Sequence, residues 1–284
     1  MYKRRGAALG QIAASARDEA LYLILRTLDL PLDSPSAVLR RRLSAAESAS
    51  IAAVFHRRLV ERVPAAYITR EAWLGGLRFY VDERTLIPRS YFVEILPDQV
   101  DPWLPDPARV TRVADVCTGS GCLAILLARH FKGARVDAID LSVDALEVAA
   151  INVERHRLSK RVRLVKGDLL ARAPSVLYDV ILSNPPYEPS AHMDRLAEEF
   201  RREPRLALDG GPDGLDLIRR LIGQAARRLR PHGILMIEVG GGREAFEREF
   251  GHLQPHWFHT ADASDCVCIL QAARLRRPHA RARS

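Results

Sequence analysis

The 284-residue chain predicts an α/β fold, a mostly parallel seven-stranded sheet with a small helical domain in front of it. Two observations lead there. From Val110 onward short apolar runs alternate with amphipathic helical stretches, and sequential parallel strands need such crossovers. Before Val110 the pattern is different, with two helical stretches and one hairpin signal.

In order along the chain, residues 9–30 predict a helix, because Ile12, Ala16, Ala20, Leu23, Ile24 and Thr27 recur at three- and four-residue steps. The prolines of "LPLDSPS" end it. A second helix is predicted over 45–62, striped by Ile51, Phe55, Leu59 and Val63. "YITREAWLGGLRFYVD" reads as two short strands around Gly75-Gly76. The proline-rich "LPDQVDPWLPDP" marks a domain boundary. After it come the strands "VTRVADV", "ARVDAID", "VRLVKGD", "YDVILS" and "GILMIEVG". The helices "CLAILLARHF", "VDALEVAAINVERH" and "GLDLIRRLIGQAARRL" lie between them. "HWFHT" and "DCVCILQA" form a closing hairpin that adds an antiparallel edge strand. The expected division is 1–66, a helical substrate-recognition domain; 67–108, hairpin and linker; 109–272, the catalytic domain; and 273–284, a basic tail.

Apolar residues make up 48% of the chain and charged residues 27%, the balance of a folded protein. No apolar run reaches membrane-spanning length. Arg17, Asp18 and Glu19 interrupt the first apolar stretch, which argues against a secretory signal. Cys117, Cys122, Cys266 and Cys268 lack zinc-site or redox spacing, so they are expected to be small buried thiols in a reducing cytoplasm, with no metal. The net charge of +8 resides at the ends: Lys3, Arg4 and Arg5 at one, Arg274, Arg276, Arg277, Arg281 and Arg283 at the other. The body between is formally neutral, unlike a nucleic-acid channel. The basic ends suit contact with RNA phosphates, or simply solvation.

The first strand of the alternating region runs into "CTGSGC". Gly119 and Gly121 allow a ligand close to the backbone, at the carboxyl end of the sheet where such ligands bind. The next strand ends in Asp140, placed to accept hydrogen bonds from ribose hydroxyls. Dinucleotides and S-adenosylmethionine both fit this much. Asp115, just before the turn, favours the second, since a carboxylate repels a pyrophosphate and attracts a sulfonium or ammonium group. Asp168 ends the third strand, where it can meet an adenine amino group. Each aspartate alone could be a cap or turn residue; three at consecutive strand ends point to a ligand.

"SNPPY" ends the fourth strand with two residues that cannot donate to a ladder. Asn184 then lies near the methyl donor. An amide or exocyclic nitrogen is a poor nucleophile, because its lone pair is delocalised. The Asn184 side-chain oxygen and the Pro185 carbonyl can take its two N–H protons while Tyr187 offers a flat wall. Positioning of this kind is worth up to roughly 7–11 kcal/mol.

"SNPPY" after "DVIL", with "CTGSG" upstream, resembles the class I S-adenosylmethionine-dependent methyltransferases that act on –NH2 groups, whose fold is Rossmann-like. "AYITREAWLGGLRFYVDERTLIPRS", "EPRLALDGGPDGLDLIRR" and "EVG" are similar to the protein-glutamine methyltransferases. Cys117-Thr118-Gly119 and Arg89-Ser90 resemble the branch that modifies the third protein of the large ribosomal subunit, rather than the release-factor branch. The resemblance is strong from Tyr67 to Gly240. It implies that Cys117, Thr118, Gly119, Ser120, Gly121, Asp140, Leu141, Leu169 and Asn184 bind the cofactor, with Asp115 and Asp168 beside them. It implies that Asn184, Pro185, Pro186 and Tyr187 hold the target glutamine, bordered by Pro88 and Arg89. The chain departs from the family at Tyr91, where proline is expected, at Glu188, where an aliphatic residue is expected, and in "HTADASDCVCIL", in place of a glycine-rich turn. "EPRLALDGG" has no evident chemistry and reads as a brace, with Arg205 as its anchor. Methylation of nucleic-acid amino groups and a non-enzymatic role in ribosome assembly are the rival readings.

Overall fold

The computed structural model describes residues 2–96 and 98–276. Arg277, Arg281 and Arg283 of the basic tail lie outside the described residues.

The hairpin is formed by β1 (Ala72–Leu74) and β2 (Leu77–Phe79), with Leu74 opposite Leu77. Gly75 (φ 56°) and Gly76 (φ 72°) make the left-handed turn that a two-residue connection requires. The main sheet contains β3 (Arg112–Val116), β4 (Arg135–Asp140), β5 (Val162–Lys166), β6 (Tyr178–Ser183), β7 (Leu229–Glu238), β8 (His256–Trp257) and β9 (Val267–Gln271). Its order is β5-β4-β3-β6-β7-β9-β8. The strands β3 to β7 are parallel, and β9 runs antiparallel between β7 and β8. The chain steps outward from β3 to β4 and β5, then returns to place β6 on the other side of β3. That reversal opens a crevice beyond the carboxyl ends of β3 and β6.

Both faces of the sheet are buried at its centre, so β6 and the second half of β7 run almost wholly apolar rather than alternating with polar residues. Alternate residues serve opposite faces. Val180, Leu182, Ile234 and Met236 pack with the helix Cys122–His130. Ile181, Leu235 and Ile237 pack with the helices Asp216–Arg228 and Arg243–Phe250. Among the described residues no helix is long and apolar enough to cross a membrane.

A single-turn helix, Tyr2–Arg5, comes first, and the first predicted helix differs from the expected 9–30. It spans Ala16–Thr27, and Ser15 caps it by accepting from the Asp18 N–H. The residues before it take a different task. Ala8 donates its N–H to Glu199 and offers its carbonyl to Arg58. The second helix, Ala45–Leu59, opens with a full capping box between Ser44 and Glu47. Its Arg58 is completely buried, and bonds Glu19 at 2.7 Å and Glu199 at 2.8 Å. The N-terminal helices are thereby tied to the short helix Glu198–Arg201, which follows "SNPPY" in the crossover to β7.

Candidate active site

Two cavities open beyond the carboxyl ends of the strands. The first, about 980 Å³ counting the solvent at its mouth, lies over the turn after β3. Thr118 donates its hydroxyl to Asp115 at 2.6 Å and its N–H to the Ile139 carbonyl. The Gly119 N–H reaches one oxygen of Asp140 at 2.8 Å, and the Ser142 N–H reaches the other at 2.9 Å. Each of those oxygens retains acceptor capacity. Burial raises the Asp140 pKa, against the pull of these backbone donors. Cys117 (φ 63°) and Leu169 (φ 51°) both line this cavity in the left-handed region, a conformation that costs a non-glycine residue about 1–3 kcal/mol and concentrates at ligand clamps.

Most of the expected cofactor residues meet here. Cys117, Thr118, Gly119, Ser120, Asp140, Leu141, Asp168, Leu169 and Asn184 all line the first cavity. Asp168 also pairs with Arg220. Gly121 does not line it; its left-handed turn (φ 79°) starts the following helix. Asp115 is a correction to the expected placement. It is wholly buried under the turn, with its pKa pushed up to about 7 by burial, and its visible partner is Thr118. It precedes the last strand residue and so faces the interior, whereas Asp140 is itself the last residue of β4. The lining suits an adenosyl group: an acid with spare acceptor capacity for ribose at Asp140, flanked by the apolar Ile139, Leu141 and Leu169.

The second cavity, about 620 Å³ with its open mouth, is lined by Pro185, Tyr187, Glu188, Phe200 and neighbours. Leu86, Arg89, Asn184 and Ala207 line both cavities. Pro186 lines the first, as does Pro88. Burial raises the Tyr187 pKa, so this ring is a neutral wall. The amide nitrogen of Asn184 donates to Glu238 at 3.1 Å and points at the Arg89 carbonyl at 3.4 Å.

Sequence reasoning missed three supports of this cavity. Glu238, at the end of β7, is 3% exposed and also takes bonds from the Ser90 hydroxyl and the Tyr91 N–H. Glu203, in "EPRLALDGG", accepts from the Ile87 N–H at 3.0 Å, from Arg89 at 2.7 Å and from Gln11 at 2.5 Å. That buried acid is the brace: it holds the Pro88-Arg89 loop while Arg89 stacks on Phe200. Arg205, the expected anchor, is an exposed residue that pairs with Asp209 four positions on. Gly240 is the third support. Its φ is 50°, and a Cβ there would overlap the Tyr187 ring. The useful sequence signal was an apolar strand ending in a lone acid, "ILMIE", the same signal that marks Asp140.

Two of the three departures from the family touch each other. The Tyr91 hydroxyl donates to Asp262, within "HTADASD", at 2.5 Å. Glu188 uses its backbone to bond Leu208 and Gly210.

The sequence profile of the methyltransferase small domain matches residues 102–214. The ribosomal protein uL3 glutamine methyltransferase of Burkholderia pseudomallei is 47% identical over 275 residues, covering 94% of this chain and 90% of that one. Its counterpart in Bordetella pertussis is 47% identical over 268 residues, with the same coverage. Among solved structures, a methyltransferase from Pyrococcus furiosus shares the fold, with a TM-score of 0.50 at 17% identity over 79% of this chain and 98% of that one. The sheet order, the turn after β3 and these similarities agree that the fold is that of class I methyltransferases, and the chain belongs to the ribosomal protein uL3 glutamine methyltransferase family.

Proposed function

We propose that the protein transfers the methyl group of S-adenosylmethionine to the side-chain amide nitrogen of a glutamine in ribosomal protein uL3. The observation that carries this reading is the position of Asn184 in the common wall of two cavities. The first cavity would hold the cofactor: Asp140 would take the ribose hydroxyls, Leu141 and Leu169 would offer apolar surface to the adenine, and Asp168, paired with Arg220, would stand near its amino group. The second receives the glutamine.

S-adenosylmethionine supplies an electrophilic methyl carbon. The protein's part is placement. The Asn184 oxygen and the Pro185 carbonyl each accept one N–H of the substrate amide, and Tyr187 and Pro186 hold its plane. Bonding both protons concentrates electron density on nitrogen and fixes its line of approach. The alkylated nitrogen is acidic, so water suffices to remove its proton.

Residues 1–66 serve in this reading to meet the protein substrate. Support comes from Arg58, which ties them to the helix bearing Phe200, a wall of the second cavity. The basic ends add attraction to RNA around that substrate. The enzyme is then cytoplasmic.

Labelled cofactor, presented with free uL3, a release factor and naked RNA, tests this. Label is expected in uL3, on a glutamine identified by mass spectrometry. Label confined to RNA or to the release factor would overturn the assignment. With ribosomal particles the KM is expected to rise with salt more steeply than with free uL3; equal slopes would remove the RNA contact. In Asn184→Ala transfer falls by roughly 100-fold or more, while cofactor affinity measured by calorimetry changes little.

A further inference from the structure

We propose that Glu238 is a positioning residue that decides which end of the Asn184 amide faces the substrate. This rests on the reading that the Asn184 oxygen accepts a substrate N–H.

A primary amide has two ends of nearly equal size and opposite hydrogen-bonding character. Turned one way, Asn184 offers the substrate an acceptor. Turned the other way, it offers a second donor to a group that already carries two N–H protons, and the site fails. Proline neighbours restrict the backbone but do not choose between the two ends of the side chain.

The sheet makes that choice. Ser183 and Ile237 are the last paired residues of β6 and β7, so Asn184 and Glu238 follow side by side at the strand ends. The amide nitrogen of Asn184 lies 3.1 Å from one Glu238 oxygen and 3.4 Å from the Arg89 carbonyl. An ionised carboxylate and a carbonyl can only accept. A turned amide would set its oxygen against both and leave buried acceptors unmatched, the costly outcome for groups shut away from water. Glu238 cannot turn aside to relieve this. Its second oxygen is held by Ser90 at 2.5 Å and by the Tyr91 N–H at 3.1 Å, and the residue is 3% exposed. One carboxylate therefore fixes both the Arg89-Ser90 loop and the amide that faces the substrate.

A reciprocal exchange separates this role from simple bracing. Glu238→Gln keeps its oxygen on the Tyr91 N–H and so turns its NH2 toward Asn184, which draws the Asn184 amide to the wrong end. Asn184→Asp sets two carboxylates face to face. The double variant Asn184→Asp/Glu238→Gln restores one donor and one acceptor, with the direction reversed, and leaves a carboxylate oxygen toward the substrate. Assays at about pH 8.5 keep these carboxyls ionised. Glu238→Gln is expected to lower kcat roughly tenfold, with the KM for uL3 and the affinity for cofactor within a few-fold of wild type. Asn184→Asp falls further, and the double variant recovers at least about tenfold over it. A double variant no better than Asn184→Asp, or wild-type kcat in Glu238→Gln, would overturn the proposal. If Glu238→Gln does not fold, Glu238→Asp moves the acceptor back by one carbon; a lowered kcat at unchanged cofactor affinity is expected, and wild-type kcat counts against the role. Full transfer by Asn184→Ala would instead remove the underlying reading of the site. An inactive Asn184→Ala beside an unrescued double variant would remove only Glu238.

Discussion

On its strand-end side the cavity beside the glycine turn is shaped by turns local to β3, β4 and β5, though residues 84–89 and 204–207 close it, whereas the cavity beside Tyr187 is held by acids whose partners are far away. In the first, Thr118 bonds Asp115 three positions back, and Ser142 bonds Asp140 two positions back. In the second, Arg89 and Glu203 are 114 residues apart, Arg58 and Glu199 are 141 apart, and Ser90 and Glu238 are 148 apart. The cofactor half is thus a product of strand order and a short turn. The substrate half is a product of tertiary ion pairs and hydrogen bonds between buried acids and loops. Damage to the second should spare the first.

The hardest break is at Arg58. Its removal takes the ion-pair partner from Glu19 and leaves Glu199 with only Arg62 and the Ala8 N–H, at side chains that are 2% and 0% exposed. Arg58→Ala is expected to cost about 3–5 kcal/mol in unfolding free energy, read by denaturant titration. Where the variant is still folded, cofactor affinity should persist and transfer to uL3 should fail. Loss of both together would mean that the halves are not separable.

A smaller effect is expected at Gly240. Alanine there drives a methyl group into the Tyr187 ring. A displacement of about 1 Å in a positioned site is worth roughly 100-fold in rate. The fall should appear in transfer, with cofactor binding preserved. An unchanged rate would show that the ring yields without moving the substrate.

The smallest effect lies on the cofactor side. Burial raises the Asp115 pKa from 3.8 to about 7. Between those values the native state keeps a proton that the unfolded chain has lost. This contribution to stability is full below the lower value and disappears as pH rises through the upper one. Glu238, raised from 4.5 to about 7 by burial, acts with the same sign. Melting temperature should therefore fall as pH rises through this window, and fall less in Asp115→Asn. An identical pH profile in the variant would deny Asp115 its share.

The same contrast explains what the sequence could reveal. "CTGSG", Asp140 and "SNPPY" are contiguous signals at strand ends, and the strand order brings them together. Asp115 is legible as an acid near the turn but not as a buried one, since its burial depends on what packs over its face of β3. Arg58 sits in "FHRRLVER" between apolar residues of the predicted stripe, and looks like any solvated arginine. Its burial depends on acids contributed by two other segments. Glu203 was visible only as part of a segment without chemistry. Tyr91 and the 260–265 turn are separate oddities in the sequence, and only the fold reveals that they are partners.

The four residues common to both cavities, Leu86, Arg89, Asn184 and Ala207, have a practical meaning for ligand design. The shared lining sets the two cavities side by side, so in the proposed reading a single compound joining an adenosyl head to a carboxamide arm through a short tether could occupy both. Its second arm would bind at the high effective concentration that a short linker provides, and affinity would exceed that of either fragment without any new contact. Such a compound would draw its selectivity from the carboxamide side, whose walls are set by long-range contacts of this chain, rather than from the adenosyl side, which sits at the strand ends of the fold.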